Sequence, residues 1–107
     1  MKALLVSRLG LHGRIIEKLR RYEVREFEDY FRHKNTWKST DDIVKIARKV
    51  NADCVIVITN FRLAIELLAK GFKRVIVITP EVHSMTEILS AKITILEGEV
   101  KAVEFTV

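Results

Sequence analysis

Short aliphatic runs alternate with amphipathic segments along the chain, and this alternation predicts strands and helices in turn. The continuously apolar runs lie at residues 3–6, 54–58 and 75–78, the last within a predicted strand at residues 74–78. Such runs are typical of strands that are buried on both faces of a parallel sheet. A shorter and heavily charged run at residues 24–27 predicts an edge strand. Residues 93–96 and 100–107 flank Glu97-Gly98-Glu99, which predicts a β-hairpin near the C-terminus.

Three further segments have apolar residues at the spacing of one buried helix face, and a fourth segment follows Pro80. The predicted helices occupy residues 11–21, a stretch capped by Ser39 or Thr40, residues 61–70 and residues 81–90. The second helix carries two aspartates in its first turn, where negative charge is favourable. Gly71 is placed to end the third helix in a left-handed conformation. Pro80 suits the first turn of the fourth helix, because the N–H that proline lacks has no partner there.

The predicted order is βαβαβαβα followed by the hairpin, in a single domain of residues 1–107. We therefore expect an α/β fold in which a mostly parallel central sheet is the middle layer of a three-layer sandwich. A hydrophobic content of 49% and a charged content of 31% suit a compact domain rather than a disordered chain. The apolar runs are too short to cross a bilayer, and no leader pattern follows Met1. We therefore expect a cytoplasmic protein without membrane contact.

The net charge of +5 is concentrated in the first half of the chain. Residues 1–50 carry 13 Lys and Arg against 7 Asp and Glu, whereas residues 51–107 carry 6 against 7. A basic half can attract a polyanion such as nucleic acid, or another acidic surface. An ordinary solvated surface and a thermostable protein rich in ion pairs are equally good explanations of the same charges. All three interpretations stay open at this point.

Polar residues follow three of the predicted parallel strands, where α/β sheets bind their ligands. The candidate ligand-binding residues are Ser7, Arg8, Thr59, Asn60 and Thr79. Predicted helices begin just after them, and their free N–H groups favour phosphate or another small anion. The alternative explanation for each hydroxyl residue is helix capping.

Basic residues of the first half are interleaved with aromatic residues, as in proteins that bind single-stranded nucleic acid. The candidate nucleic-acid contacts are Arg14, Lys18, Arg21, Arg32, Lys34 and Trp37. Trp37 in a polar segment is the strongest indication of a partner. The alternative is that Trp37 and Phe31 fold back over a sheet edge or a dimer contact. We predict no metal site, because the three histidines lack ligand spacing and the single cysteine lies in an aliphatic strand.

Two segments resemble parts of compact PIN-like ribonuclease domains. The stretch from Ser39 to Arg48 reads as a helix opened by acids, and the later strand at residues 55–58 ends in Thr59-Asn60. With the first strand and helix, the resemblance covers residues 1–79 and implies an α/β fold with metal-dependent RNA cleavage. Ser7 and Asn60 lie at positions where that family has acids. Asp41 or Asp42 is therefore the only candidate carboxylate that remains. The resemblance therefore implies poor magnesium binding and little or no cleavage, with Asp42 as the candidate catalytic residue.

A second, shorter resemblance covers only the first predicted turn. Residues 4–10 are similar to the opening strand and turn of Rossmann-like nucleotide sensor domains.

The sequence thus favours a small PIN-like or Rossmann-like module that binds RNA, another single strand or a protein partner, without efficient catalysis and without a cofactor. A metal-dependent ribonuclease is the first alternative, with magnesium or manganese held by Asp42 and by Asp29 or Glu66. A sensor that binds a nucleotide or small anion at the strand ends is the second. The last strand, which contains Val103, Phe105 and Val107, is a candidate for a homodimer contact if it lies at a sheet edge.

Overall fold

The computed structural model describes residues 1–98 and 100–107 of the chain. Its elements, in order, are β1 (Lys2–Val6), β2 (Gly10–Leu11), α1 (Gly13–Arg20), β3 (Glu26–Asp29), α2 (Tyr30–His33), α3 (Thr40–Lys49), β4 (Cys54–Ile58), α4 (Phe61–Ala69), β5 (Arg74–His83), β6 (Glu87–Glu97) and β7 (Val100–Thr106). Within the described ranges, no helix is both long enough and apolar enough to span a membrane.

Seven strands form one mostly parallel sheet, which confirms the predicted α/β class. Its parallel part has the order β3-β1-β4-β5, and β6 joins it antiparallel to β5. The remaining edge of β6 pairs with β2 near Ile88 and with β7 from Lys92 to Glu97. The three-layer sandwich is not confirmed, because the sheet curls into a half-barrel instead of lying flat between two helical layers.

Side chains of the parallel strands point alternately to the two faces of the sheet, and both faces are buried. One hydrophobic cluster joins the strands to α3 and α4 and includes Leu4, Val57, Val77, Ile43 and Leu67. The opposite cluster joins them to α1 and includes Ala3, Ile56, Ile76, Ile15 and Leu19. Burial on both faces explains why these strands are continuously apolar in sequence.

The helix boundaries follow their capping residues. Ser39 caps α3 and accepts a hydrogen bond from the Asp42 N–H, as predicted. Asn60 caps α4, because its Oδ1 accepts from the Leu63 N–H at 2.9 Å. Gly71 follows α4 with a φ of +101°, which confirms the predicted left-handed end.

The predicted fourth helix at residues 81–90 is wrong, and the βαβαβαβα order is wrong with it. Instead, β5 continues through Pro80 to His83 and pairs with β6 across a tight connection. The register shifts between Pro80 and Val82, and such an irregularity lets a strand accommodate proline. The Ser84 hydroxyl closes the connection by accepting from the Glu87 N–H at 3.0 Å. Strand pairing therefore overrides a local spacing that also fits a helix.

The charged edge strand is confirmed, although it occupies Glu26–Asp29 rather than residues 24–27. The short elements β2 and α2 have no counterpart in the prediction. Asp29 ends β3 and caps α2 by accepting from the Phe31 N–H at 2.9 Å. One carboxylate thus turns the chain from the sheet edge toward the segment that contains Trp37.

The C-terminal hairpin is formed by β6 and β7, as predicted. Of its predicted turn, Glu97 and Gly98 are described, and Glu99 lies outside the described residues. Phe105 is half-buried and stacks on Tyr22 with 5.1 Å between ring centroids. Among the strands described, none pairs with the outer edge of β7, so the homodimer contact stays a prediction.

Candidate functional site

Strands β1 and β4 end side by side, and the chain leaves them toward opposite faces of the sheet. After β1 it reaches α1, which belongs to one hydrophobic cluster, and after β4 it enters α4, which belongs to the other. In open α/β sheets, this divergence opens a crevice beyond the carboxyl ends of the strands, where ligands bind.

A cleft of about 280 Å³ lies at this point. Its apolar lining includes Val6, Val57 and Ile58 from the two strand ends. Its polar lining consists of Ser7, Arg8 and Asn60, and the Trp37 ring completes it. Ligand pockets begin at roughly 300 Å³, so the cleft suits one small ligand or one unit of a larger one.

Arg8 brings a positive charge to the cleft. Its guanidinium carbon lies 4.5 Å from the centroid of the Phe31 ring, and its Nη2 donates to the Asn35 carbonyl at 2.9 Å. Within the described part of the chain, no carboxylate oxygen lies within 4.0 Å of the Arg8 guanidinium. The cation is therefore held in place by neutral groups, and its charge remains available to an anion.

The two polar neighbours of Arg8 have structural partners of their own. The Ser7 hydroxyl donates to the Leu9 carbonyl at 2.8 Å and accepts from the Leu9 N–H at 3.0 Å, which closes a tight turn. Asn60 uses its Oδ1 as the cap of α4, so its amide nitrogen is the group left for a ligand. The capping alternative concerns the hydroxyl residues Ser7, Thr59 and Thr79, but Asn60 is the residue that caps α4, and this cap fixes Asn60 at the cleft.

The other side of Arg8 is acidic. A smaller cleft of about 180 Å³ lies between β1 and β3 and is lined by Glu28 and Asp29. Glu28 Oε1 lies 2.8 Å from His33 Nε2, and Glu28 Oε2 lies 3.7 Å from Lys2 Nζ. The hydrogen bond with His33, followed by the charge of Lys2, lowers the pKa of Glu28 below its usual value. We therefore expect an anion bound to Arg8 to lie on the β4 side of the guanidinium, away from Glu28 and Asp29.

Trp37 is 41% exposed and is the only tryptophan in the chain. Its segment is tied to α3 by Asp42, whose Oδ1 lies 2.6 Å from Lys34 Nζ and whose Oδ2 accepts from the Lys38 N–H at 3.1 Å. The hydrogen bond from Lys34 lowers the pKa of Asp42, and the same bond raises the pKa of Lys34. Asp42 and Lys34 therefore act as a clamp on the segment that carries Trp37.

The predicted row of hydroxyl residues is only partly assembled. Ser7 lines the cleft, whereas Thr59 is exposed beside it and donates its N–H to the Ile78 carbonyl at 2.9 Å. The prediction that Thr79 ends a strand is wrong, because β5 runs on and Thr79 pairs with Lys92 inside it.

The predicted basic set is spread over separate surfaces. Arg14 and Lys18 line a shallow depression beside Val107, and Arg21 follows the last turn of α1. Arg32 is exposed, and its Nη1 lies 3.9 Å from Glu28. Of the predicted nucleic-acid contacts, Trp37 alone is among the residues that line the β1–β4 cleft.

The candidate carboxylates do not converge. Asp42 is held by Lys34, Asp29 caps α2, and Glu66 accepts from the Thr40 hydroxyl at 2.6 Å. In the ranges 1–98 and 100–107, no group of three or more His, Cys, Asp and Glu side chains is placed to hold a metal ion. Cys54 is buried in β4, and this burial raises the pKa of its thiol to about 12.

Two roles at the site are missing from the sequence analysis, which names Phe31 only as a cover for a sheet edge or dimer contact and Glu66 only as a candidate metal ligand. The Phe31 ring and the Asn35 carbonyl position Arg8, and neither has a sequence signal that points to it. Arg62 and Glu66, four residues apart on α4, line a second cleft beyond Trp37. Their spacing on one helix face was the available signal, but only tertiary packing shows what that face borders.

Comparisons of this chain with protein-family models, with curated proteins and with solved structures found no match. The geometry of the cleft therefore carries the functional argument.

The strained backbone of Thr59 gives a first prediction. Its φ of +59° is left-handed, which costs an L-residue roughly 1–2 kcal/mol. We expect Thr59→Gly to raise the free energy of unfolding by up to about 1 kcal/mol, because relief of strain outweighs the added chain entropy. Thr79→Gly, at the same level of the extended strand β5, is the control and should be destabilising. Urea unfolding compares them, and equal losses in both variants would contradict a strained Thr59.

The Asp42 clamp gives a second prediction. Because the folded-state pKa of Asp42 is lowered, its ion pair stabilises the fold above the unfolded pKa of about 4 and is lost as the pH falls through the folded pKa. We expect Asp42→Asn to lower the Tm at pH 7 and to leave it nearly unchanged in strong acid. The same variant should make Trp37 more accessible to a fluorescence quencher.

Asp41→Asn is the matched control for the clamp, because it removes the same charge from the same helical turn. Asp41 lies 3.7 Å from Lys70 and is exposed, so little change is expected in its variant. Identical quenching of Trp37 in wild type and Asp42→Asn would show that the clamp does not hold the segment.

Proposed function

We propose that this chain is a small binding module that holds a nucleotide unit, a nucleoside phosphate, in the cleft between β1 and β4, without efficient catalysis. The observation that carries the proposal is the placement of Arg8 and Trp37 in one cleft at the topological switch point of the sheet. No other aromatic ring lines this cleft with them among the described residues.

The two parts of a nucleotide match the two sides of this lining. A guanidinium donates several hydrogen bonds in a plane and binds phosphate oxygens with two of them. An indole ring stacks on any nucleobase, and such stacking contributes roughly 1–3 kcal/mol for each base. The Asn60 amide adds a neutral donor, and the N-terminus of α4 adds a partial positive charge.

The nucleotide unit has two possible sources, a free nucleotide or a single strand of RNA. The basic first half of the chain supports the single strand, since it attracts a polyanion at long range. The small volume of the cleft and the dispersal of Arg14, Lys18 and Arg21 support a compact ligand. Both sources place the same phosphate and base in the cleft, and the binding experiment below separates them.

The PIN-like resemblance remains part of the proposal. It is supported by the acid-opened helix α3, by the aliphatic strand β4 that follows it, and by their order along the chain. Ser7 and Asn60 replace two acids of that family at the strand ends. The remaining candidate acid, Asp42, forms an ion pair with Lys34. These replacements support a binding role over the ribonuclease alternative with magnesium or manganese.

A fluorescence titration tests the proposed site directly. We expect adenosine 5′-monophosphate to quench Trp37 and to raise the Tm, since a ligand that favours the native state stabilises it. Arg8→Gln should weaken binding about tenfold by loss of a charged hydrogen-bond donor. Arg21→Gln, at the far end of α1, should bind as wild type does.

An oligoadenylate strand in the same titration separates the two sources. Tighter binding of the strand, with a steep dependence on salt, indicates a single strand, whereas equal affinity indicates a free nucleotide. If neither ligand affects Trp37 fluorescence or the Tm, or if Arg21→Gln is the damaging variant, the proposed site is wrong.

A further inference from the structure

A second cleft continues the first on the far side of Trp37. It has a volume of about 350 Å³ and shares Trp37, Asn60 and Leu63 with the first cleft. Its remaining lining includes Thr40 and Glu66. A ligand that stacks on Trp37 therefore borders both clefts at once.

The two clefts differ in the charge that they present. The β1–β4 cleft contains Arg8 and, in the described part of the chain, no carboxylate in its lining. The second cleft contains the Glu66 carboxylate, and Glu66 Oε1 lies 3.6 Å from Arg62 Nε. Phosphate is attracted to the first cleft, whereas the second offers a carboxylate acceptor whose charge is balanced by a neighbouring cation.

Glu66 has capacity for a further hydrogen bond. Its Oε2 accepts from the Thr40 hydroxyl at 2.6 Å, which fixes the position of the carboxylate between α3 and α4. A carboxylate has about four acceptor positions, so both oxygens can still accept from a ligand. The group that suits this acceptor is a neutral donor such as a sugar hydroxyl.

We propose that Glu66 recognises the ribose 2′-hydroxyl of the nucleotide unit, so that the site selects ribonucleotides over 2′-deoxyribonucleotides. This inference rests on the proposed function, because it takes the phosphate to lie at Arg8 and the base on Trp37. The 2′-hydroxyl is the group by which proteins distinguish RNA from DNA, and a fixed carboxylate accepts a hydrogen bond from it well. Thr40 acts as a positioning residue for that carboxylate.

Paired titrations of Trp37 fluorescence test the inference, with adenosine 5′-monophosphate and its 2′-deoxy analogue as the two probes. We expect wild type to bind the ribonucleotide about fivefold more tightly, as for one partly exposed hydrogen bond. Glu66→Ala should bind both probes equally, with the affinity that wild type has for the deoxy analogue. Alanine favours helix, so α4 is expected to remain folded.

Glu17→Ala is the matched control. Glu17 is an exposed helical glutamate whose Oε2 lies 3.8 Å from an arginine three residues away on α1. This variant should keep the fivefold preference.

The outcomes separate the two proposals. Equal binding of both probes by wild type would overturn the role of Glu66 and leave the nucleotide site standing. A preference that persists in Glu66→Ala would overturn it as well. Absence of binding by either probe would overturn the proposed function and this inference together.

Discussion

The pairing of β1 with β4 is the constraint on which the rest of the structure depends. Both strands are buried on both faces, and the chain leaves them toward opposite faces of the sheet. The cleft therefore results from topology, and the residues that follow each strand become its walls.

The charge of Arg8 then determines which ligands this cleft attracts. The carboxylates that line the smaller cleft beside Arg8 have partners of their own: Glu28 contacts Lys2 and His33, and Asp29 caps α2. Arg8 itself is held by an aromatic face and a carbonyl, which orient the guanidinium without neutralising it. The ion pair between Asp42 and Lys34 holds the segment of Trp37 and thereby contributes to the shape of the site.

Much of this architecture could be predicted from the sequence where local pattern and burial agree. The strand at residues 54–58 and the Ser39 cap are confirmed, because aliphatic runs and N-caps are local signals. The predicted helix at residues 81–90 is absent, because residues 81–83 continue β5 and residues 87–90 belong to β6, and the two strands pair with each other. The position of Ser7 and Asn60 at the cleft followed from chain order. The roles of Phe31 and Glu66 could not be predicted from chain order, because both roles depend on how separate elements pack.

Amide chemical-shift mapping by NMR tests the central claim most directly. On addition of adenosine 5′-monophosphate, the account expects the largest shifts at the Trp37 indole N–H and at the amides of Ser7, Arg8 and Asn60. The chemical shifts of the α1 amides should not change. Shifts confined to α1, around Arg14 and Lys18, with an unchanged Trp37 indole, would contradict a nucleotide site between β1 and β4.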